Sequence, residues 1–267
     1  MLQIQMKCLR IQMVMKDDLR FDEEDSRGYT PTALVPRSIC RKASGGVIFC
    51  KAEGKSLPSS EPSQKHAITF IDGQNLFHSA REAFGHSYPN YDVRALAEVI
   101  CGSAGFTLRQ VRFYTGIPDP QDDGFWHSFW SAKLAVMGRQ GIEIFSRSLR
   151  YRNKTVKLPD GSEYSFLAGE EKGIDVRIAI DIIRMAYRGE YDVALVFSQD
   201  QDLSEVAKEI RVISAEQRRW IKIACAFPMS PTLRNRRGIN GTDWIKIDRA
   251  TYDACIDRRD YRPKKPT

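Results

Sequence analysis

Two short apolar runs, Ala67-Ile68-Thr69-Phe70-Ile71 and Val193-Ala194-Leu195-Val196-Phe197, each stop abruptly on acidic residues. A run that is apolar at both odd and even positions must be covered on both faces. That is the condition of a strand inside a parallel sheet. Parallel neighbours cannot be joined by tight hairpins and need crossover connections, usually helices. The chain therefore reads as α/β, with a mostly parallel sheet wrapped by helices.

The rest of the pattern fits that frame. Further strands are expected at Leu108–Ile117, where Val111, Phe113 and Thr115 alternate before Pro118 and Pro120. Others are expected at Ile142–Phe145, Ile221–Ala226 and Trp244–Ile247. Helical spacing joins Leu76, Ala80, Ala83 and Phe84, and later Phe125, Phe129, Ala132 and Val136 up to Gly138. Asp92 is placed to cap a helix carrying Leu96, Val99 and Ile100. Helices also follow from Ile174, around Leu203–Ile210, and near Tyr252.

Residues 1–64 keep neither period and hold a Pro- and Ser-rich stretch at Ser56–Ser63. They read as a disordered leader and linker, residues 65–257 as the folded domain, and 258–267 as a basic tail. Met1–Met15 is broken by Lys7 and Arg10 and lacks a small-residue cleavage site, so it does not read as a signal peptide. No apolar run reaches membrane-spanning length. The net charge of +7 favours polyanionic partners. The six cysteines are scattered without a C-x-x-C pair, against a zinc site or a disulfide framework. Free thiols in a reducing cytosol are the expectation.

Three acidic clusters carry the chemistry. Asp72-Gly73-Gln74-Asn75 follows the first apolar run, Lys172-Gly173-Ile174-Asp175 opens a helix, and Ser198-Gln199-Asp200-Gln201-Asp202 follows the second run. Ligands of open α/β sheets bind at the carboxyl ends of the strands, so these segments would converge. Clustered carboxylates repel unless a cation holds them, and a hard divalent ion suits oxygen ligands. Metal-assisted chemistry on phosphodiesters is expected.

Each residue also has a plainer reading. Asp72 suits a turn, and Asn75 either caps the next helix or holds a bound water or phosphate oxygen. Asp175 falls on one stripe with Ile178, Ala179, Ile182, Ile183 and Ala186, facing the sheet. Asp181 falls opposite, with Arg177, Arg184 and Arg188, as a solvated ion pair. Asp200 is an N-cap and Asp202 a first-turn residue; Ser198 orients one of them or contacts a phosphate. The four histidines show no ligand spacing. Between Ser146 and Ala168, Arg147, Arg150, Arg152, Lys154 and Lys157 precede a Pro159-Asp160-Gly161 turn and the aromatics Tyr164 and Phe166. This is a basic β-hairpin, either tracking a phosphate backbone or simply solvated.

Phe70-Ile71-Asp72-Gly73-Gln74-Asn75, Lys172-Gly173-Ile174-Asp175-Val176 with Asp181, and Ser198-Gln199-Asp200-Gln201-Asp202-Leu203 together resemble, in order and spacing, the NYN family of the PIN-like nuclease superfamily, which includes the LabA-like (DUF88) proteins. The resemblance spans roughly 67 to 250. It implies a three-layer α/β/α PIN-like domain and a Mg²⁺- or Mn²⁺-dependent endoribonuclease. The implied metal ligands are Asp72, Asp175, Asp200 and Asp202, with Asn75 assisting and Asp181 as an accessory. Arg147, Arg150, Arg152 and Lys154, with Arg234, Arg236 and Arg237 of the Ser230–Asn240 loop, would hold single-stranded RNA. A homo-oligomer is compatible with this. The competing expectation is a catalytically weak RNA- or protein-binding regulator on the same fold. A haloacid-dehalogenase-type phosphatase is disfavoured, because it needs a second acid two residues after the first.

Overall fold

The computed structural model describes residues 40–41, 47–48, 60–157, 161–233 and 235–263. The chain divides into two compact units, one of Pro58–Lys154 with Leu167–Thr267, the other of Met1–Leu57 with Thr155–Phe166. In the smaller unit β1 (Cys40–Arg41) and β2 (Val47–Ile48) pair antiparallel. Most of the leader expected over 1–64, and the hairpin turn residues Pro159 and Asp160, lie outside the described residues.

In chain order there follow β3 (Lys65–Asp72), α1 (Gly73–Phe84), α2 (Val93–Ser103), β4 (Phe106–Ile117), α3 (Gly124–Arg139) and β5 (Glu143–Ser148). Then come β6 (Arg150–Lys157), β7 (Glu163–Glu170), α4 (Ile174–Tyr187), β8 (Val193–Phe197) and a 3-10 turn at Gln201–Leu203. The chain continues through α5 (Ser204–Gln217), β9 (Lys222–Pro228), β10 (Asp243–Ile247) and α6 (Arg249–Ala254). Six strands form one sheet in the order β10-β9-β8-β3-β4-β5, and β6 pairs with β7 in a separate two-stranded sheet. Every neighbouring pair in the six-stranded sheet is parallel.

The apolar runs are buried on both faces, as their composition requires. Ala67 and Ile71 of β3 and Val193, Leu195 and Phe197 of β8 pack under α1, α2, α3 and α6. The alternate residues Ile68, Phe70, Ala194 and Val196 pack under α4 and α5. The period of two thus feeds two cores, one on each side of the sheet, and the result is a three-layer α/β/α domain. Each fully buried Phe or Ile contributes roughly 1.5–3 kcal/mol.

The sheet starts at its centre. β3 enters first, the chain steps outward to β4 and β5, then returns to the other side of β3 through β8, β9 and β10. The reversal lies between β3 and β8, and the crevice that such a reversal opens at the carboxyl ends is where ligands bind in this class of sheet.

Close packing behind that crevice fixes Gly73. A Cβ there would lie 2.5 Å from Phe113 Cζ and 3.1 Å from the Tyr114 carbonyl oxygen. Gly73→Ala is therefore expected to destabilise the protein by about 1–3 kcal/mol through overpacking, read as a lower midpoint in urea. An unchanged midpoint would show that α1 shifts freely. Tyr261, within the segment expected as a basic tail, is buried against Phe129 and donates to Asp257 Oδ2 at 2.6 Å.

Candidate active site at the sheet reversal

Asp72 is the last residue of β3 and the N-cap of α1, its Oδ1 accepting the Asn75 N–H at 2.9 Å. The cap is thus Asp72 and not Asn75. Asn75 instead reaches across the reversal, its Oδ1 accepting the Gln199 N–H at 2.9 Å. One side chain therefore ties the loop after β3 to the loop after β8. Ser79 strengthens the link, donating to Gln199 Oε1 at 2.9 Å. Behind Asp72, the buried Tyr91 hydroxyl donates to the Gly73 carbonyl at 2.9 Å.

The loop after β8 is held from several sides. The buried Ser198 Oγ accepts the Asp200 N–H at 3.1 Å. Asp200 caps the 3-10 turn by accepting the Asp202 N–H at 3.1 Å. Gln201 accepts from the Asn240 N–H and donates to the Gly238 carbonyl, which moors the Ser230–Asn240 loop.

Asp72, Asp175 and Asp200 line one open cleft of about 380 Å³, with Glu171, Lys172 and Gly173. Asp202 is exposed and does not line it. Glu171 has no counterpart among the sequence-predicted residues. Its Oε2 accepts the Gly116 N–H at 2.5 Å, which anchors it to the end of β4. The only sequence signal is position: it directly precedes the Lys172-Gly173-Ile174-Asp175 segment, inside a polar run.

Electrostatics mark the cleft as strained. Burial, then repulsion from Asp200 and Asp175, push the Asp72 carboxyl up to about 6, against hydrogen bonds from the Asn75 and Gln74 N–H groups. Burial, then the charges of Asp72 and Asp175, push Glu171 up to about 8, against the Gly116 hydrogen bond. Oxygen-only donors that disfavour their own ionisation are chemically suited to a hard divalent cation. Among the described residues, no group of three or more such side chains is drawn close enough to hold a metal ion as it stands.

Two face assignments on α4 are corrected. Its buried stripe is Ile174, Ile178, Asp181, Ile182, Met185 and Ala186. Asp175 is only half-buried and opens into the cleft, whereas Asp181 is fully buried rather than solvated. Burial of a carboxylate demands partners. Asp181 Oδ2 accepts from the Tyr114 hydroxyl at 2.9 Å, Arg177 Nε at 3.0 Å and Arg112 Nη2 at 3.2 Å. Burial opposes its charge, but the Arg177 and Tyr114 hydrogen bonds and the Arg112 charge hold it below the usual carboxylate range. Asp181 does not line the cleft; it ties α4 to β4, whose Tyr114 is the register partner of Asp72.

The basic residues are scattered in role. Lys154, Arg152 and Lys172 share Glu170, at 3.0, 4.0 and 3.9 Å. Arg150 is exposed. Arg236 donates to the carbonyls of Leu233 and Pro231, and Arg237 reaches Asn240 Oδ1 at 3.4 Å. Arg234 lies outside the described residues.

Among known proteins, the NYN domain model matches residues 66–220. No curated protein matches the chain. Two solved structures resemble it. A Vibrio parahaemolyticus protein of unknown function, VPA0982, is 20% identical over 71% of this chain and 97% of its own, with a TM-score of 0.44. Acinetobacter baumannii MurG is 11% identical over 68% of this chain and 45% of its own, with a TM-score of 0.27. Among the described residues, no helix is long and apolar enough to cross a membrane.

Proposed function

Because the chain belongs to the NYN domain family, a family of nuclease-like, RNA-related domains with a PIN-like fold, we propose that it is a metal-dependent endoribonuclease hydrolysing phosphodiester bonds of single-stranded RNA. The observation that carries this reading is the meeting of Asp72, Glu171, Asp175 and Asp200 at the sheet reversal, all inside the matched span. Three of these carboxylates also hold local backbone N–H groups, but their common lining of one cleft from three separate segments is what a bound cation would use.

Asp72, Asp175, Asp200 and Glu171 would hold the cation, and Asp202 is the outermost of the proposed ligands. A bound Mg²⁺ or Mn²⁺ supplies charge neutralisation on the scissile phosphate and lowers the pKa of a bound water. Asn75 fixes the distance between the loops bearing Asp72 and Asp200 through its bond to Gln199. Ser198 orients the Asp200 backbone. Glu171 keeps its proton near neutrality until a cation replaces it, so metal uptake releases protons and strengthens as pH rises. The exposed arginines and lysines would grip backbone phosphates, giving affinity that falls with salt and reads little sequence.

The regulatory alternative has one observation on its side: among the described residues, no three of these side chains are drawn close enough to hold a metal ion. The test is cleavage of a labelled single-stranded RNA by the full chain with Mg²⁺, Mn²⁺ or EDTA, beside Asp175→Asn and Asp200→Asn. Each substitution is expected to lower metal-dependent cleavage by at least about 100-fold. Absence of cleavage with RNA binding retained would favour the regulator. Equal cleavage by all three proteins would point to a contaminant.

A further inference from the structure

Arg147, near the carboxyl end of β5, is exposed and lies beside the wall of the acidic cleft. Its guanidinium carbon lies 5.4 Å from the centre of the Phe145 ring, and that of Arg177 lies 5.0 Å from the same centre. Two cations against one ring repel, and an anion beside either one offsets that repulsion. Arg177 has one, Asp181 at 3.0 Å. Arg147 forms no ion pair among the described residues. Its hydrogen bond goes to the Lys172 carbonyl oxygen at 3.5 Å. The neighbouring cations Lys154, Arg152 and Lys172 already share Glu170.

The position of this charge is specific. Lys172 and Gly173 are walls of the acidic cleft. Arg147 Nη1 lies 2.7 Å from where a Cβ of Gly173 would be, so its guanidinium rests directly on that wall. Gly173 serves twice, since it also takes the left-handed φ of +75 at the start of α4. An aromatic ring on one side and the cleft wall on the other preorganise a planar group whose donors suit phosphate oxygens. The acidic cleft, once neutralised by a cation, would take one phosphate. Arg147 stands at its rim, where a neighbouring phosphate of the same strand would pass.

We infer that Arg147 is a phosphate-binding residue for the link adjoining the one in the cleft, so that the site selects a polynucleotide strand over an isolated phosphodiester. This rests on the nuclease reading above. Arg147 is a positioning residue in this scheme and takes no part in the bond change.

The experiment compares wild type, Arg147→Ala and Arg147→Lys of the full chain on two substrates. One is a single-stranded RNA oligonucleotide, the other bis(4-nitrophenyl) phosphate, which has a single phosphodiester and no neighbour. Arg147→Ala is expected to raise KM for RNA about tenfold with kcat little changed, and to leave hydrolysis of the small diester unchanged. Arg147→Lys should recover part of the loss. Binding of the same oligonucleotide in EDTA should lose about 0.7 from its log–log salt slope in Arg147→Ala. An equal loss on both substrates, or no loss on RNA, would overturn the inference. If wild type cleaves neither substrate, the nuclease reading fails separately. The EDTA binding then decides: a lowered slope keeps Arg147 as a phosphate contact, and an unchanged slope removes it.

Discussion

Asp72→Asn is expected to abolish RNA cleavage while making the metal-free protein more stable. The two effects share one cause. Burial and the nearby Asp200 and Asp175 raise the Asp72 carboxyl from 3.8 to about 6, a linkage worth about 3 kcal/mol of instability above pH 6. Asn keeps the oxygen that accepts the Asn75 N–H, so the helix cap survives. The charge, and with it the proposed ligand, is lost. Cleavage should fall on the order of 10³-fold, while urea unfolding at pH 7 in EDTA should move to a higher midpoint. A variant less stable than wild type in EDTA would sink the electrostatic argument; undiminished cleavage would sink the site.

The same linkage gives a pH profile. A raised carboxylate stabilises the fold below its ordinary pKa and loses that contribution as pH rises through the folded value. Metal-free stability should therefore decline from about pH 4 to 6 through Asp72, and on towards pH 8 through Glu171. Asp72→Asn should flatten the lower part. Millimolar Mn²⁺ should offset the decline in wild type, since a cation binds the deprotonated groups. A metal-free profile that rises over this range would contradict the raised values.

The second large effect is expected at Asp181→Ala, a loss of about 3–5 kcal/mol. Asp181 is fully buried and is the shared acceptor of Arg177, Tyr114 and Arg112, the last with a side chain only 15% exposed. Removing it leaves Arg112 and the Tyr114 hydroxyl facing a cavity without an anion. Asp181→Asn should cost less, because an oxygen remains to accept. Chemical denaturation of both variants tests this. A loss under about 1 kcal/mol for Asp181→Ala would place Asp181 in the class of surface ion pairs.

The central strands β3, β8 and β9 were legible because burial on both faces leaves a dense apolar signature, and the Asp92 cap because its hydrogen bond is local in sequence. The face of α4 was not. Val176 and Ile180 are apolar yet more than half exposed, so hydrophobic spacing alone could not orient the helix. A buried Asp181 becomes tolerable only through Tyr114 and Arg112, which belong to a distant strand. Glu171 was hidden for the same reason: its anchor is the Gly116 N–H, 55 positions away. Asp72, Asp175 and Asp200 were legible because each follows or opens an element whose end is marked by its own composition. Their meeting at one cleft follows from strand order, while the outward placement of Asp202 depends on the 3-10 turn.

The bond between Asn75 and Gln199 joins residues 124 positions apart. A ribosome that has released only the segment up to β7 has made Asp72, its cap and its supporting strand, but not β8 or the loop that answers Asn75. The acidic cleft cannot close on such a nascent chain. The tie between Asn75 and Gln199 therefore forms only once β8 has emerged and paired with β3.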